Sequence, residues 1–392
     1  MGKMLRWLRT GMIVGCASAL VSFTAGCAPS MDGPQGFEPR SATFASAEEG
    51  WVLGQVEPCF TASCPAIRHT ADGGRSWQSV SVSGLPEVSG SWWPRIYFTD
   101  SRNGWLFATD RVWRSHDGGT SWQAQLPLSG TGVQPAAMVS DGSRVMLAAA
   151  ASNRLTLVTA EVDSDVSEAT YPLGAGTGGR SPYVTMTGHG SAAWLAYYRD
   201  RYLRQPSSPT IPFVAGGARL LDGAWSNWSP PCLAEDNQLT DLTALSDRTL
   251  VAVCRTNIDD PAGESRLYRS EDAGLTFTDH GPIPGRRVAL LGVAPKGPTM
   301  ATGLSHECPT DAANAILVSD DDGLTWRTTY TPACVGESTV TYDDTAMTTP
   351  LQGFVLETRS FPSDRVTPAR AEHRLLMTRD AGRSWAPVAF SA

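Results

Sequence analysis

The most regularly spaced reactive side chains in this sequence are aspartates that stand two residues before a glycine. Five copies of the pattern Ser/Thr-x-Asp-x-Gly-x-Ser/Thr-aromatic occur along the chain. A carboxylate in this position accepts hydrogen bonds from the backbone N–H groups that follow it, and the glycine takes a positive φ. The phrases therefore predict tight turns between strands, with the final aromatic ring packed between sheets. Their main residues are Asp72, Gly74 and Trp77; Asp117, Gly119 and Trp122; Asp272, Gly274 and Phe277; Asp321, Gly323 and Trp326; and Asp380, Gly382 and Trp385.

Other groups that could bind a metal or catalyse a reaction are scattered. The six histidines show no His-x-x-x-His spacing, and the sequence has no Cys-x-x-Cys pair. Acidic pairs such as Asp343-Asp344 could attract calcium, but acids in turns are usually only solvated. The glycine-rich segment 174–179 lacks the Lys-Ser/Thr of a phosphate loop. We therefore expect no catalytic residue, no metal and no cofactor.

Short apolar or alternating runs precede each phrase, for example at 96–98, 103–107 and 112–115. Such runs predict four antiparallel strands per unit, with the phrase between the third and fourth strands. Neighbouring phrases are 45 to 59 residues apart, except that 155 residues separate Asp117 from Asp272. This gap has room for two more units. The sequence therefore predicts an all-β, seven-bladed β-propeller of four-stranded antiparallel blades, with the phrases in blades 1, 2, 5, 6 and 7.

The phrases resemble the Asp-box, or bacterial neuraminidase repeat, of sialidases, sortilin-type receptors and photosystem II assembly factors. The longer form, with Gly-Trp on the second strand and Asp-Gly-Gly-x-Ser-Trp on the turn, is most similar to the assembly-factor group. The resemblance is clearest over residues 42–126 and 265–390. It implies a propeller, but this fold carries many unrelated functions.

A sialidase resembling its family needs three arginines from different blades around a carboxylate, a tyrosine activated by a glutamate, and an aspartic acid. The family's Phe/Tyr-Arg-Ile-Pro motif is absent, and the nearest sequence, 94–97, reads Pro-Arg-Ile-Tyr. Arg199, Arg201 and Arg204 fall in one predicted loop and cannot supply three blades. Catalysis is therefore the less favoured interpretation.

The N-terminus has the pattern of an export signal. Residues 1–26 contain three basic residues and then a short apolar stretch, and they end in small residues before Cys27. Small residues before a cysteine resemble the bacterial lipobox, although Thr24 stands where Leu, Val or Ile is usual. We therefore expect Cys27 to be the lipidated first residue of the mature chain, and an ordinary cleaved signal is the alternative. Residues 27–39 are predicted to be a flexible tether and 40–392 the propeller domain.

Charge limits the partners. The net charge is −8, and removal of the three basic signal residues leaves −11. This argues against nucleic acid and against docking on anionic lipid. We expect a monomer that meets the outer leaflet of the cytoplasmic membrane only through its lipid.

Six cysteines remain after the signal and the lipidated residue are set aside, and an even number in an exported chain indicates disulfides. Counting alone permits fifteen pairings. In a four-stranded blade all six lie on the face opposite the aspartate phrases. We call it the disulfide face and predict three bridges between near neighbours: Cys59–Cys64, Cys232–Cys254 and Cys308–Cys334.

The longest predicted insertions also follow second strands, at 198–212, 257–264, 305–314 and 359–372. Long loops on one face of a rigid scaffold are where binding usually occurs, so the disulfide face is the predicted functional face. Aromatic and arginine side chains there could hold a sugar or a protein loop. The alternative is that the tryptophans pack between blades and the arginines are solvated. The candidates are Trp92, Trp93, Arg95, Tyr183, Arg286 and Arg287.

Two functions follow from these patterns. The preferred hypothesis is a non-catalytic, lipid-anchored, extracytoplasmic propeller that binds an envelope protein or a glycan. The alternative is an extracytoplasmic glycosidase of sialidase type, which requires arginines and carboxylates that converge at the channel mouth.

Overall fold

Antiparallel strands that pair with their neighbours in sequence make up the structure, a computed structural model, and its seven sheets are the predicted seven blades. Among the described residues no helix is long and apolar enough to span a bilayer. The described residues are 36–57, 64–86, 88, 93–108, 111–125, 134–151, 154–162, 184–201, 211–233, 237–256, 263–285, 288–294, 296–303, 306–307, 315–333, 335–363 and 370–390.

The first four blades cover residues 36–228. Blade 1 is β1 Gly36–Phe44, β2 Gly50–Glu57, β3 Pro65–Thr70 and β4 Gln78–Val80; blade 2 is β5 Arg95–Phe98, β6 Gly104–Ala108, β7 Arg111–Ser115 and β8 Gln123–Ala124. Blade 3 has three described strands, β9 Gln134–Ser140, β10 Arg144–Ala151 and β11 Arg154–Glu161; blade 4 is β12 Val184–His189, β13 Ala192–Arg201, β14 Ile211–Leu221 and β15 Ala224–Trp228.

The last three blades cover residues 238–387. Blade 5 is β16 Gln238–Ala244, β17 Leu250–Arg255, β18 Ser265–Ser270 and β19 Thr278–Ile283; blade 6 is β20 Val288–Val293, β21 Thr299–Gly303, β23 Ile316–Ser319 and β24 Arg327–Tyr330. Blade 7 is β25 Thr339–Met347, β26 Gly353–Phe361, β27 Arg370–Thr378 and β28 Ala386–Pro387, and the short β22 His306–Glu307 pairs with β25.

Two boundaries differ from the sequence-based expectation. Strand β1 begins at Gly36, four residues before the predicted start of the propeller, and residues 36–39 pair with 54–57. Strand β13 continues to Arg201, so Arg199 and Arg201 belong to a strand and not to the predicted loop. The remainder of the predicted signal and tether, including Cys27, lies outside the described residues.

The five phrases form turns of nearly identical geometry, which we call the aspartate turns (70–77, 115–122, 270–277, 319–326 and 378–385). Each lies between the third and fourth strands of its blade. In blade 5, Thr276 donates its backbone N–H to Asp272 Oδ1 (2.9 Å) and its hydroxyl to Oδ2 (2.6 Å). These bonds lower the pKa of Asp272 to about 2. Ala273 and Gly274 both take positive φ, which turns the chain tightly.

The aspartate turns also join blades. A carbonyl in the turn accepts a hydrogen bond from the preceding blade: Trp51 Nε1 donates to Gly118 O (3.0 Å), and Trp194 Nε1 donates to Ala273 O (3.1 Å). Trp51 is fully buried and stacks on Phe98, with ring centroids 3.9 Å apart. The turns therefore have a structural role at the blade interfaces.

First strands of neighbouring blades contact one another at most interfaces of the inner ring. Five of these strands, β1, β9, β16, β20 and β25, carry a bulge, and in three of them a residue at or after the bulge accepts a backbone N–H from the next blade. Ser41 Oγ accepts from Ile96 (3.2 Å), Asp241 Oδ2 from Leu291 (2.6 Å) and Asp344 Oδ2 from Ala42 (3.3 Å).

Among the described residues no strand is exchanged between blades 1 and 7, since blade 1 is β1–β4 and the blade 7 sheet is β25–β28 with the short β22 at its edge. Asp344 makes the inner bond from blade 7 to blade 1. At the aspartate turn, Arg379 of blade 7 donates to Gly73 O of blade 1 (3.2 Å). The closing interface therefore uses the same two kinds of contact as the interfaces within the chain.

The predicted bridge Cys232–Cys254 is confirmed, and it joins the connection before β16 to the end of β17. Cys64 is also disulfide-bonded. Its predicted partner Cys59 lies outside the described residues, as do Cys308 and Cys334.

Candidate functional site

Two backbone bulges bring charged side chains together where blades 7, 1 and 2 meet. In β1 the register shifts between Pro39 and Ser41, so that Arg40 is the extra residue. In β25 it shifts between Tyr342 and Thr345, which places Asp343 and Asp344 in the bulge. A bulge redirects side chains that regular pleating would alternate across the sheet. We call the resulting cluster the junction site: Arg40, Trp93, Arg95, Asp343, Asp344, Thr358 and His373.

Asp344 is the centre of the junction site. Its Oδ1 accepts a hydrogen bond from Arg95 Nη1 (2.9 Å), and its Oδ2 accepts from Ser41 Oγ (3.0 Å) and from the backbone N–H of Ala42 (3.3 Å). The Asp344 side chain is 15% exposed, whereas that of Arg95 is 58% exposed. The Asp344 carboxylate therefore fixes one nitrogen of the Arg95 guanidinium, and more than half of the Arg95 side chain stays exposed to solvent.

A hydrogen-bonded chain runs through the other half of the site. Arg40 Nη1 donates to His373 Nε2, the His373 Nδ1–H donates to Thr358 Oγ1 (2.9 Å), and the Thr358 hydroxyl donates to Asp343 Oδ2. Burial and the nearby Arg40 lower the pKa of His373 to about 4, so the ring is neutral at physiological pH. Both ring nitrogens are engaged, which makes His373 unsuited to act as a base toward a ligand.

Arg40 is held on two further sides. Its Nη2 donates to Glu38 Oε2 (3.0 Å), and its guanidinium carbon lies 5.1 Å from the ring centroid of Trp93. This is within the range of a cation–π contact. The interpretation that Trp93 only packs between blades is therefore incomplete, because its ring also positions a charge of the junction site.

The charges of the site nearly cancel. Partial burial raises the pKa of Asp343, and the adjacent Asp344 raises it further, while Arg95 and Arg40 act in the opposite direction. Two arginines therefore face three carboxyl groups, those of Glu38, Asp343 and Asp344. The site offers a directed guanidinium fork and an aromatic ring rather than a strong net field.

The structure brings together two of the six predicted ligand-face residues, Trp93 and Arg95. Trp92, Tyr183, Arg286 and Arg287 lie outside the described residues. The interpretation of Asp343-Asp344 as turn acids is wrong, because both lie on the inner strand β25. Asp343 is exposed and bonds to Thr358 of its own blade, whereas Asp344 bonds to blades 1 and 2. The signal that sequence analysis could have used is the pair of consecutive acids in β25, the first strand of blade 7. The bulge that redirects these acids has no sequence signature here.

No group of three metal-ligating side chains close enough to hold an ion occurs among the described residues. A separate Tyr–Glu pair lies between blades 6 and 7, where Tyr330 Oη donates to Glu357 Oε2 (2.9 Å). Glu357 is fully buried, and burial and this carboxylate raise the pKa of Tyr330. A nucleophilic tyrosine needs the opposite shift.

The comparisons with solved structures find propellers over nearly the whole chain. YCF48 bound to D1 peptide matches with 14% identity and a TM-score of 0.51, covering 83% of this chain and 90% of that one. YCF48 from Cyanidioschyzon merolae matches with 13% identity and a TM-score of 0.50, covering 88% and 96%. The propeller domain of the Trilobed protease from Pyrococcus furiosus, described as having an open velcro topology, matches with 8% identity and a TM-score of 0.53, covering 91% and 98%.

No protein-family model matches the sequence, and no curated protein matches it either. At these identities the likeness concerns the fold alone. One of the groups that the phrases resemble, the photosystem II assembly factors, is represented among the matches by YCF48. The chain is therefore similar in fold to other β-propellers.

Proposed function

We propose that this protein is a non-catalytic, extracytoplasmic propeller, lipid-anchored through Cys27, that binds a segment of an envelope protein at the junction site. One observation carries the proposal: Asp344 holds the exposed guanidinium of Arg95 at the meeting point of three blades. An arginine fixed in this way can donate a pair of parallel hydrogen bonds to a carboxylate or to backbone carbonyls of a partner.

The support for binding comes from the rigidity of the site. Arg95 is held by Asp344, and Asp344 is held in turn by Ser41 and the backbone of Ala42. Because these groups are already fixed in the free protein, less side-chain entropy is lost when a partner binds. Arginine and tryptophan are also the residues that most often dominate binding energy at interfaces.

A protein partner is favoured over a glycan. One of the similar structures is YCF48 bound to a peptide, and that chain shares the propeller fold. The junction site joins one aromatic ring to a near-neutral set of donors and acceptors. An extended peptide backbone has matching carbonyls and N–H groups.

The position of β1 supports an envelope partner. Strand β1 enters blade 1 at Gly36, whose pairing partner Glu57 leads into the connection on the disulfide face. A lipid on Cys27 would stand nine residues before Gly36, a span of about 30 Å at full extension. A connection of nine residues between the proposed anchor and the first strand is what favours a partner in the envelope.

Site-specific photo-crosslinking in cells tests the proposal. A photoreactive residue in place of Arg95 is expected to capture one envelope protein, and the same residue in place of Arg75, exposed on the opposite face, is expected not to. The purified partner should then bind Arg95→Ala about tenfold or more weakly than wild type. Capture from both positions alike, or binding that Arg95→Ala leaves unchanged, would contradict the proposal.

The second candidate, a sialidase-like glycosidase, has one observation in its favour. Arg40 and Arg95 come from different blades and meet Asp343, a carboxyl group whose pKa is raised as a general acid requires. Each arginine is already bonded to a carboxylate, however, and the Tyr330–Glu357 pair is buried between blades 6 and 7. Cleavage of a fluorogenic sialoside that is lost in Asp343→Asn would establish the enzyme. A glycan-array signal lost in Arg95→Ala, without cleavage, would indicate a lectin.

A further inference from the structure

The aspartate turns of blades 5 and 6 differ from the others in one exposed residue. The position after the last glycine of the phrase holds Leu275 in blade 5 and Leu324 in blade 6, and these side chains are 68% and 70% exposed. The same position is Arg75, Thr120 and Arg383 in blades 1, 2 and 7. Two adjacent blades therefore present leucine to solvent where the others present a polar side chain.

The two leucine-bearing turns are linked. Asp322 of the blade 6 turn contacts blade 5, where its Oδ1 lies 3.3 Å from Arg269 Nη1 and its backbone carbonyl lies 3.0 Å from His280 Nδ1. A cavity of about 280 Å³ lies beside this contact. The residues that line it come from the strands and the turn of blade 5: Arg269, Glu271, Asp272, Thr276, Thr278 and His280.

The exposed charge around the cavity is negative. The side chains of Glu271 and Asp322 are 63% and 64% exposed, whereas Arg269, which bonds to both, is only 23% exposed. Hydrogen bonds from Arg269 and Thr249 lower the pKa of Glu271, which keeps it ionised. A partner that binds this surface therefore contacts two exposed leucines and two exposed carboxylates. The Arg269 guanidinium, which pairs with both carboxylates, is largely buried.

We propose that Leu275, Leu324 and the cavity beside them form a second docking surface, which binds a basic amphipathic segment of a partner protein. Apolar side chains of that segment would cover the leucines, and its Lys or Arg side chains would meet Glu271 and Asp322. Leu351 is a further exposed leucine on this face, in the connection between β25 and β26 of the neighbouring blade 7. This surface lies on the face opposite the disulfide face, so it is independent of the junction site.

A labelled twelve-residue peptide of alternating Leu and Lys tests the proposal by fluorescence anisotropy with the purified protein. Binding is expected to weaken about tenfold in the double variant Leu275→Ser with Leu324→Ser. It should also weaken severalfold in Glu271→Gln with Asp322→Asn, which should in addition reduce the salt dependence. Asn is suited to position 322 because it tolerates the positive φ found there. Peptides of alternating Ser and Lys, or Leu and Glu, should bind weakly to all forms.

The matched control is Leu233→Ser, which removes an exposed leucine from the connection before β16 and should leave binding unchanged. Hydrogen exchange supplies a second measurement, with protection by the peptide expected at 271–277 and 320–326. Equal binding by wild type and the leucine double variant, or protection confined to other segments, would overturn the proposal. Absence of binding to wild type would overturn it as well.

Discussion

Asp241 provides the sharpest test of how the blades are joined, because it carries a carboxyl group into the interface between blades 5 and 6. It follows the bulge of β16, and its two oxygens accept the backbone N–H groups of Leu291 (2.6 Å) and Leu242 (2.8 Å). Burial nevertheless raises the pKa of Asp241 to about 6, since loss of hydration outweighs both hydrogen bonds. The ionised form is therefore disfavoured in the folded protein.

The magnitude follows from the shift. A carboxyl group with a pKa of 3.8 in the unfolded chain and about 6 in the fold contributes stability that is complete below pH ~3.8 and lost as the pH rises through 6. At 1.36 kcal/mol per pH unit the loss is about 3 kcal/mol. Asp241→Asn removes the titration but keeps only one carbonyl acceptor for two backbone N–H groups, so the variant should be less stable than wild type near pH 4. Relative to wild type, its free energy of unfolding should then rise by about 3 kcal/mol between pH 4 and pH 7.5.

Urea unfolding of wild type and Asp241→Asn between pH 4 and 8 measures this difference, and all other titrating groups cancel in the comparison. The control is Asp247→Asn, which removes one negative charge from an exposed turn of the same blade. Its free energy of unfolding should follow that of wild type at every pH. If the curves for Asp241→Asn and wild type run parallel from pH 4 to 7.5, the reasoning about a buried inter-blade carboxyl is refuted.

Three further outcomes are expected from stability measurements on single features of the fold. Gly323→Ala should lower the free energy of unfolding by about 1–3 kcal/mol more than Gly142→Ala does. Both glycines have φ near +90°, but a Cβ at 323 would overlap the side chain of Leu267 in blade 5, whereas a Cβ at 142 would meet nothing within 4 Å. Similar unfolding free energies for the two variants would show that the turn does not pack as described. Serine at both Cys232 and Cys254 should lower the unfolding free energy by about 3 kcal/mol, the loop-entropy term for a separation of 22 residues; an unchanged urea midpoint would argue against the bridge. His373→Gln should remove an acid sensitivity of about 3 kcal/mol, because a pKa of about 4 in the folded protein against 6.5 in the unfolded chain gives stability that is present above pH 6.5 and lost toward pH 4. The difference in unfolding free energy between wild type and variant should therefore change with pH. A difference that stays constant would show that the ring is solvated.

Much of the fold could be predicted because its determinants are local. Asp72 and Gly74 specify a turn through their own backbone contacts, and the spacing of the five phrases indicates the number of blades. Blades 3 and 4, which lack the phrase, occupy the gap between Asp117 and Asp272 where two further units were predicted. The pairing of Cys232 with Cys254 followed from that topology.

The junction site was only partly predictable, because its members are far apart in sequence. Arg95 and Trp93 were expected on the ligand face, but Arg40 and His373 were not, since 333 residues separate them. Nothing in the sequence marks the bulges that aim Arg40 and Asp344 at blade 2. A bulge depends on how two strands register, and register is set by the packing of the whole blade.

The sequence by itself therefore determined the repeat, the turn chemistry and the blade count, because each depends on residues within one blade. Only the tertiary structure decided how the ring closes and which charges meet. Asp344 reaches Ser41 and Arg95, and Arg379 reaches Gly73, only because closure brings blade 7 against blades 1 and 2. The two ends of the chain meet because each blade interface adds a rotation until the ring is closed. No local sequence pattern specifies this total rotation.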